Sequence, residues 1–213
     1  MLAVSETSLS RAVDRLGLDL SASSSDKILK IKEFFRFYGR AMNLTGATEG
    51  DHVERQIEEA LHAVALARRL ELTGRWLDIG SGGGFPGLVL AACLDLEFVF
   101  VEPRAKRASA LELALAKIGR PDVRVLRGRI EGGQWQAIEG QALDAGFDVA
   151  GARAVFSPAR WVEEGTPWVR PGGVLCLHLR AGDPVPEGVE VNGRVEGEHW
   201  AAVGVRVPRG TGD

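Results

Sequence analysis

The stretch Trp76 to Gly87, WLDIGSGGGFPG, constrains this chain more than any other. A short apolar run enters a turn crowded with glycine, and an apolar segment from Leu88 to Leu94 leaves it. Gly80, Gly82, Gly83 and Gly84 are costly to order. They make sense where the backbone turns sharply and a ligand approaches it closely. The pattern is the strand, loop and helix start of a nucleotide-type cofactor site. An ordinary tight turn is the alternative, and the rest of the chain must decide by supplying partners in the right places.

A chain of 213 residues can hold one large domain, or a domain with a small appendage. Its composition, 45% hydrophobic and 26% charged, suits a globular protein and gives no reason to expect disorder. No apolar run is long enough to span a bilayer, and the first residues are charged and amphipathic. The expectation is a cytoplasmic protein without a membrane partner. Cys93 and Cys176 lie in apolar runs and read as small buried hydrophobes, and the four histidines are scattered, so no metal is expected. A net charge of −3 argues against coating nucleic acid by bulk charge. It leaves room for a local basic patch, and Arg104, Lys106, Arg107, Lys117, Arg120, Arg124, Arg127 and Arg129 supply one.

In chain order, Leu9, Ala12, Val13 and Leu16 recur at helical spacing and stop at Gly17. A second helix shows Ile28, Ile31, Phe35 and Tyr38 on one face. After MNLTG (Met42 to Gly46), a third from about Asp51 to Leu70 aligns Val53, Ile57, Ala60, Leu61 and Val64. From Arg75 the pattern changes to short apolar runs alternating with helices, which is that of a parallel sheet covered on both faces. Strands are expected at Trp76 to Ile79, Phe98 to Val101, Val123 to Leu126, Phe147 to Ala150 and Val174 to Leu179. A hairpin of Val189 to Val195 and Trp200 to Val207 should close the sheet edge. The division reads as a helical layer over 1–73 and a cofactor-binding domain over 74–213.

The loop fits two fingerprints. Gly82, Gly84 and Gly87 match the dinucleotide G-x-G-x-x-G; Gly80, Gly82 and Gly84 match the G-x-G-x-G of S-adenosylmethionine enzymes. Electrostatics favours the second. Asp78 places a carboxylate beside the loop, where it would repel a pyrophosphate but attract the ammonium and sulfonium of S-adenosylmethionine. Glu102 ends the second strand, where an acidic side chain can accept from both ribose hydroxyls of either cofactor. Ile130 and Glu131 follow the third strand and could hold an adenine. Arg153 stands at the end of the fourth, where substrate and reactive methyl should meet.

That fourth strand continues as Gly151-Ala152-Arg153-Ala154, not as the Asn/Asp-Pro-Pro-aromatic element common in enzymes that methylate exocyclic amines. Methylation of a pyrimidine carbon needs an activated cysteine, and neither cysteine here has a suitable setting. Guanine N7 has a free lone pair and loses no proton, so in-line positioning is enough. No residue stands out as a nucleophile or as a general acid or base.

Three stretches together resemble the bacterial 16S rRNA guanine-N7 methyltransferase G family, also called the glucose-inhibited division protein B family. They are MNLTG, DIGSGGGFPG (Asp78 to Gly87), and Lys106-Arg107 with Arg129 to Glu131 and FDVAGARA (Phe147 to Ala154). The resemblance implies an α/β fold: a Rossmann-like class I methyltransferase sheet of parallel strands with a C-terminal antiparallel hairpin, behind an N-terminal helical cap. It implies S-adenosylmethionine as cofactor, with contacts at Gly80, Phe85, Ile130, Glu131 and Arg153, to which the loop geometry adds Gly82 and Glu102. It implies 16S rRNA or the small ribosomal subunit as partner; the chain is expected to be a monomer. Where the family has Arg-His-Ile-x-Asp-Ser, this chain has Arg55-Gln56-Ile57-Glu58-Glu59-Ala60; Ser-Arg-Ala has become Ala152-Arg153-Ala154; and Leu179-Arg180 stands in the region of Lys-Gly. Two alternatives stay open: a divergent member acting on another RNA or a small molecule, and a donor-binding protein that contacts RNA without turnover. On the sequence, Gly82→Val should block the donor, and Arg153→Ala should stop transfer while sparing the fold.

Overall fold

Apolar residues recurring every three or four positions make the first three elements helices. The computed structural model describes residues 3–42 and 50–209, with α1 at Ala3–Arg15, α2 at Ala22–Met42 and α3 at Gly50–Arg69. The stripe on α3 is buried throughout, from Val53 to Val64. On α2, Ile28, Ile31 and Phe35 are buried as expected, but Tyr38 is 47% exposed and Phe34 takes its place in the core. Phe35 instead reaches the glycine loop, its ring 4.9 Å from that of Phe85. Asn43, Leu44 and Thr45 lie outside the described residues.

The alternating half of the chain begins with β1 (Arg75–Ile79), α4 (Gly87–Cys93), β2 (Glu97–Val101), α5 (Ala105–Lys117) and β3 (Arg124–Leu126). It goes on through β4 (Gly128–Glu131), β5 (Gln134–Ala137), β6 (Phe147–Ala152) and α6 (Pro158–Gly165). After a 3-10 turn at Thr166–Trp168 come β7 (Val169–Arg180), β8 (Glu190–Glu196) and β9 (Trp200–Arg206). The main sheet runs β3-β2-β1-β6-β7-β9-β8. Its first five strands are parallel, and β9 runs antiparallel to β7 and β8. This is the expected mixed α/β sheet with a C-terminal antiparallel hairpin.

Two local details go beyond the sequence reading. Arg129 to Glu131 follow the third strand as a strand of their own, β4, which pairs with β5 around Gly132 and Gly133, at φ +59° and +68°. Two adjacent positive-φ glycines make a tight hairpin turn, so a hairpin stands between β3 and β6, where the alternating pattern would put a helix. The fifth strand, β7, begins before the expected Val174 and takes in Pro171 to Gly173, and Gly172 at φ +79° absorbs a register shift there.

Side chains alternate across each strand, so the sheet serves two cores. Trp76, Phe98 and Phe100 face one core, which they share with buried residues of α1 to α5. Leu77, Ile79, Val99 and Leu175 face the other, under Trp161 of α6 and Trp168. Asp78 follows the parity of Trp76 and therefore points toward the α1 to α5 layer.

Candidate functional site

Parallel strands leave a crevice beyond their carboxyl ends where neighbouring connections diverge. Here the loop after β1 occupies that place, with Gly80, Gly82 and Gly84 at φ +68°, +57° and +99°. The N–H groups of Gly80 and Ser81 both donate to the carbonyl of Val101, at 2.9 and 3.0 Å, which ties the loop to the end of β2. Glu102 fixes it further: Oε2 accepts from the Gly82 N–H at 2.9 Å and Oε1 from the Arg104 N–H at 2.8 Å. A carboxylate offers about four lone-pair sites, so Glu102 keeps acceptor capacity for a ligand.

These elements enclose a cavity of about 410 Å³, with Gly80, Gly82, Phe85, Glu102, Ile130 and Arg153 among its walls. Six of the seven residues anticipated as cofactor contacts thus meet at one site. The seventh, Glu131, does not line it. Successive strand residues point to opposite sides, so Ile130 turns inward at 4% exposure and Glu131 outward, 3.6 Å from Arg129. Sequence reasoning missed Gln56, Gly128 and Val155 in the walls, whereas Arg104 and Arg107 of the basic patch do line them. The glycine pair at Gly132 and Gly133, between two alternating runs, was a legible hairpin signal that would have brought Gly128 into view.

Arg153 forms the far wall. Its Nε and Nη2 donate to Oε1 and Oε2 of Glu59 at 2.8 and 2.5 Å, and Nη1 to Oε1 of Gln56 at 3.4 Å. Glu59 is only 5% exposed, so this forked pair is held in a poorly solvated place. Two of the departures from the family pattern on α3, Gln56 and Glu59, are therefore the residues that grip Arg153. Beyond it, Ala152 and Leu179, two further departures, line a second cavity together with Glu59.

Asp78 lies beneath the loop, 2% exposed and outside the cavity walls. Burial pushes its carboxyl up to about 6, against the lowering effects of the Ser81 hydroxyl and the Arg153 charge. Its Oδ2 has no hydrogen-bond partner. A buried carboxylate with one oxygen unpartnered, beside a loop of positive-φ glycines, suits a ligand that carries positive charge and needs close backbone approach. The cysteines do not serve the site: burial raises the thiols of Cys93 and Cys176 to about 11 and 12, so neither is a ready nucleophile.

Comparison with known proteins agrees with this geometry. The family model described as GidB, rRNA small subunit methyltransferase G, matches residues 26–196. A ribosomal RNA small subunit methyltransferase G from Brucella ovis is 35% identical over 156 residues, covering 68% of this chain and 69% of that one. Its counterpart from Sorangium cellulosum is 38% identical over 157 residues, covering 72% of this chain and 64% of the other. Among solved structures, a mutant MtNAS in complex with S-adenosylmethionine superposes with a TM-score of 0.55 at 17% identity, over 85% of this chain and 72% of that one. The last likeness concerns the fold alone.

Proposed function

Because the chain belongs to the rRNA small subunit methyltransferase G family, we propose that it transfers the methyl group of S-adenosylmethionine to N7 of a guanine in 16S RNA of the small ribosomal subunit. It is an S-adenosylmethionine-dependent methyltransferase. We place its action in the cytoplasm and take it as a monomer; no helix among the described residues is long and apolar enough to cross a membrane. Residues 1–73 then form the helical layer that grips Arg153, and residues 74–213 the donor-binding unit.

The state of two carboxylates, Glu102 and Glu59, supports the acceptor atom. Glu102 accepts two backbone N–H groups and Glu59 is forked to Arg153. Neither is set up to take a proton from a substrate. Guanine N7 carries a lone pair and no proton, so transfer to it calls for no base, only alignment. When bound, S-adenosylmethionine supplies an electrophilic methyl on a sulfonium. Gly80 and Gly82 would let it approach the backbone, Glu102 would accept from its ribose, Ile130 would pack on its adenine, and Asp78 and Arg153 would set the potential around its methionine end. We keep Glu131 as a further adenine contact, one that needs its exposed carboxylate to turn toward the cavity. Arg104 and Arg107, in the cavity wall, and Lys106 between them in the sequence are the proposed phosphate contacts.

The test is incubation with labelled donor and isolated ribosomal subunits. Label should enter 16S RNA of small subunits; label confined to large-subunit RNA, or to no RNA, overturns the proposal.

Donor binding should depend on pH through Asp78. Its folded-state pKa, near 6, lies above the ordinary 3.8, so the folded donor-free protein holds that proton more tightly than the unfolded chain. Asp78 thus costs stability as pH rises from about 4 to about 6, while ionisation is what attracts a cationic donor. Calorimetry should show donor affinity rising through pH 6 to a plateau, with proton release on binding just below it. A dissociation constant flat from pH 5 to pH 8 contradicts this role.

Gly82→Val should remove donor binding while keeping the fold. A Cβ there meets no protein atom closer than 3.5 Å, so nothing in the protein is displaced. The branched side chain enters the cavity instead, and the φ of +57° adds about 1–2 kcal/mol of strain. Retained donor affinity, measured by calorimetry, would place the donor elsewhere.

A further inference from the structure

We propose that the second cavity, beyond Arg153, holds the acceptor guanine as a nucleotide turned out of its stack, and that Asp183 reads the base's amino edge against an aromatic wall of Trp200 and Phe156. This rests on the N7 reading above and assigns the residues that would deliver it.

The two cavities share Arg153 and Ala154, so a group bound in one abuts the end of the other. The second measures about 290 Å³, at the lower limit of roughly 300–1,000 Å³ for pockets that enclose a drug-sized ligand. One base fits that scale better than a longer segment. Its walls bring aromatic rings, as a flipped-base site does, together with charged side chains: Glu59, Arg153, Arg180 and Asp183. Phe156 stacks on Trp161, with centroids 6.0 Å apart and planes 6° apart, and Trp161 is anchored by its Nε1 donating to the Cys176 carbonyl at 3.1 Å. Trp200 pairs with Arg180 across β9 and β7 at the cavity rim.

The acceptor atom decides which edge can be read. The commonest guanine contact, a forked Arg on O6 and N7, would bury the very lone pair that must attack. Recognition is left to the N1–H and the 2-amino group, two donors that need an acceptor. Glu59 and Asp183 are the carboxylates in the cavity wall, and Glu59 is spent on Arg153. Asp183 is exposed at the rim and steadied by the Arg180 N–H, which donates to its Oδ2 at 3.2 Å.

Charge fits as well. Transfer breaks the sulfonium carbon–sulfur bond with its electrons left on sulfur, forms the N7–carbon bond, and moves the positive charge onto the base. A pocket for that product should keep its cations paired or out at the rim. Arg153 is offset by Glu59, burial with the Arg153 charge pushes His178 down to about 3, so its imidazole is neutral, and Arg180 is exposed at the rim. Ala152, Leu179 and Glu59, three of the chain's departures from the family pattern, also line this cavity.

Asp183→Asn and Trp200→Leu test the assignment, with donor affinity read by calorimetry and transfer read on small subunits. Both variants should bind donor within about twofold of wild type. Both should lose about tenfold to a hundredfold in kcat at saturating subunits, with little change in KM, because phosphate contacts elsewhere hold the particle. Wild-type kcat in both variants overturns the pocket, and so does a donor affinity that falls in step with transfer. Digestion of the wild-type product separates the two ideas beforehand: label on an atom other than N7 removes the functional reading, and the role of Asp183 with it.

Discussion

Arg153→Ala is expected to reduce methyl transfer by about a hundredfold or more and to lower stability by about 3–5 kcal/mol. The first effect follows from position: Arg153 is the wall common to both cavities. The second follows from its partner, because truncation leaves the Glu59 carboxylate, 6% exposed, buried without a counter-charge. The sequence alone had Arg153→Ala sparing the fold, since nothing in it ties residue 153 to α3. Adding Glu59→Gln separates the two effects: the double variant should recover most of the lost stability in denaturant unfolding and none of the lost transfer. Full activity in Arg153→Ala, or wild-type stability in that single variant, contradicts this account of the wall.

Gly87→Val is the second large effect, and it strikes the fold. A Cβ on Gly87 would lie 2.5 Å from Asp78 Oδ2 and 2.7 Å from the Phe100 ring, both buried at the start of α4. Neither neighbour has room to give way, and overpacking of this kind costs about 3 kcal/mol or more out of a total near 5–15 kcal/mol. A thermal midpoint more than about 5 °C below wild type is expected; one within 2 °C of wild type would mean that the loop can open there. Set beside Gly82→Val, the pair divides the glycine run physically: Gly82 keeps space for a ligand, and Gly87 keeps space for the helix against the sheet.

Much of this was legible in the chain because the signals are local. Apolar periodicity places α1 to α3 and the parallel strands, and the loop with Glu102 and Arg153 marks the carboxyl edge of the sheet. The Gly132-Gly133 hairpin signal was present but overridden by the strand-helix alternation around it. What local pattern cannot carry is pairing across distance. Glu59 and Arg153 meet only after α3 packs over the sheet, and Gln56 enters the first cavity by the same packing. Tyr38 and Phe34 show the smaller version of this limit: both fit the stripe on α2, and the neighbouring layer selects which is buried.

The central claim is that the donor's methyl passes to N7 of a guanine in 16S RNA, and one measurement bears on it most directly. Small subunits lacking the modification are incubated with the protein and labelled S-adenosylmethionine, and the 16S RNA is digested to nucleosides for mass spectrometry. The account predicts label in 7-methylguanosine. Label on an exocyclic amino group or a base carbon, or an unlabelled digest, would contradict it.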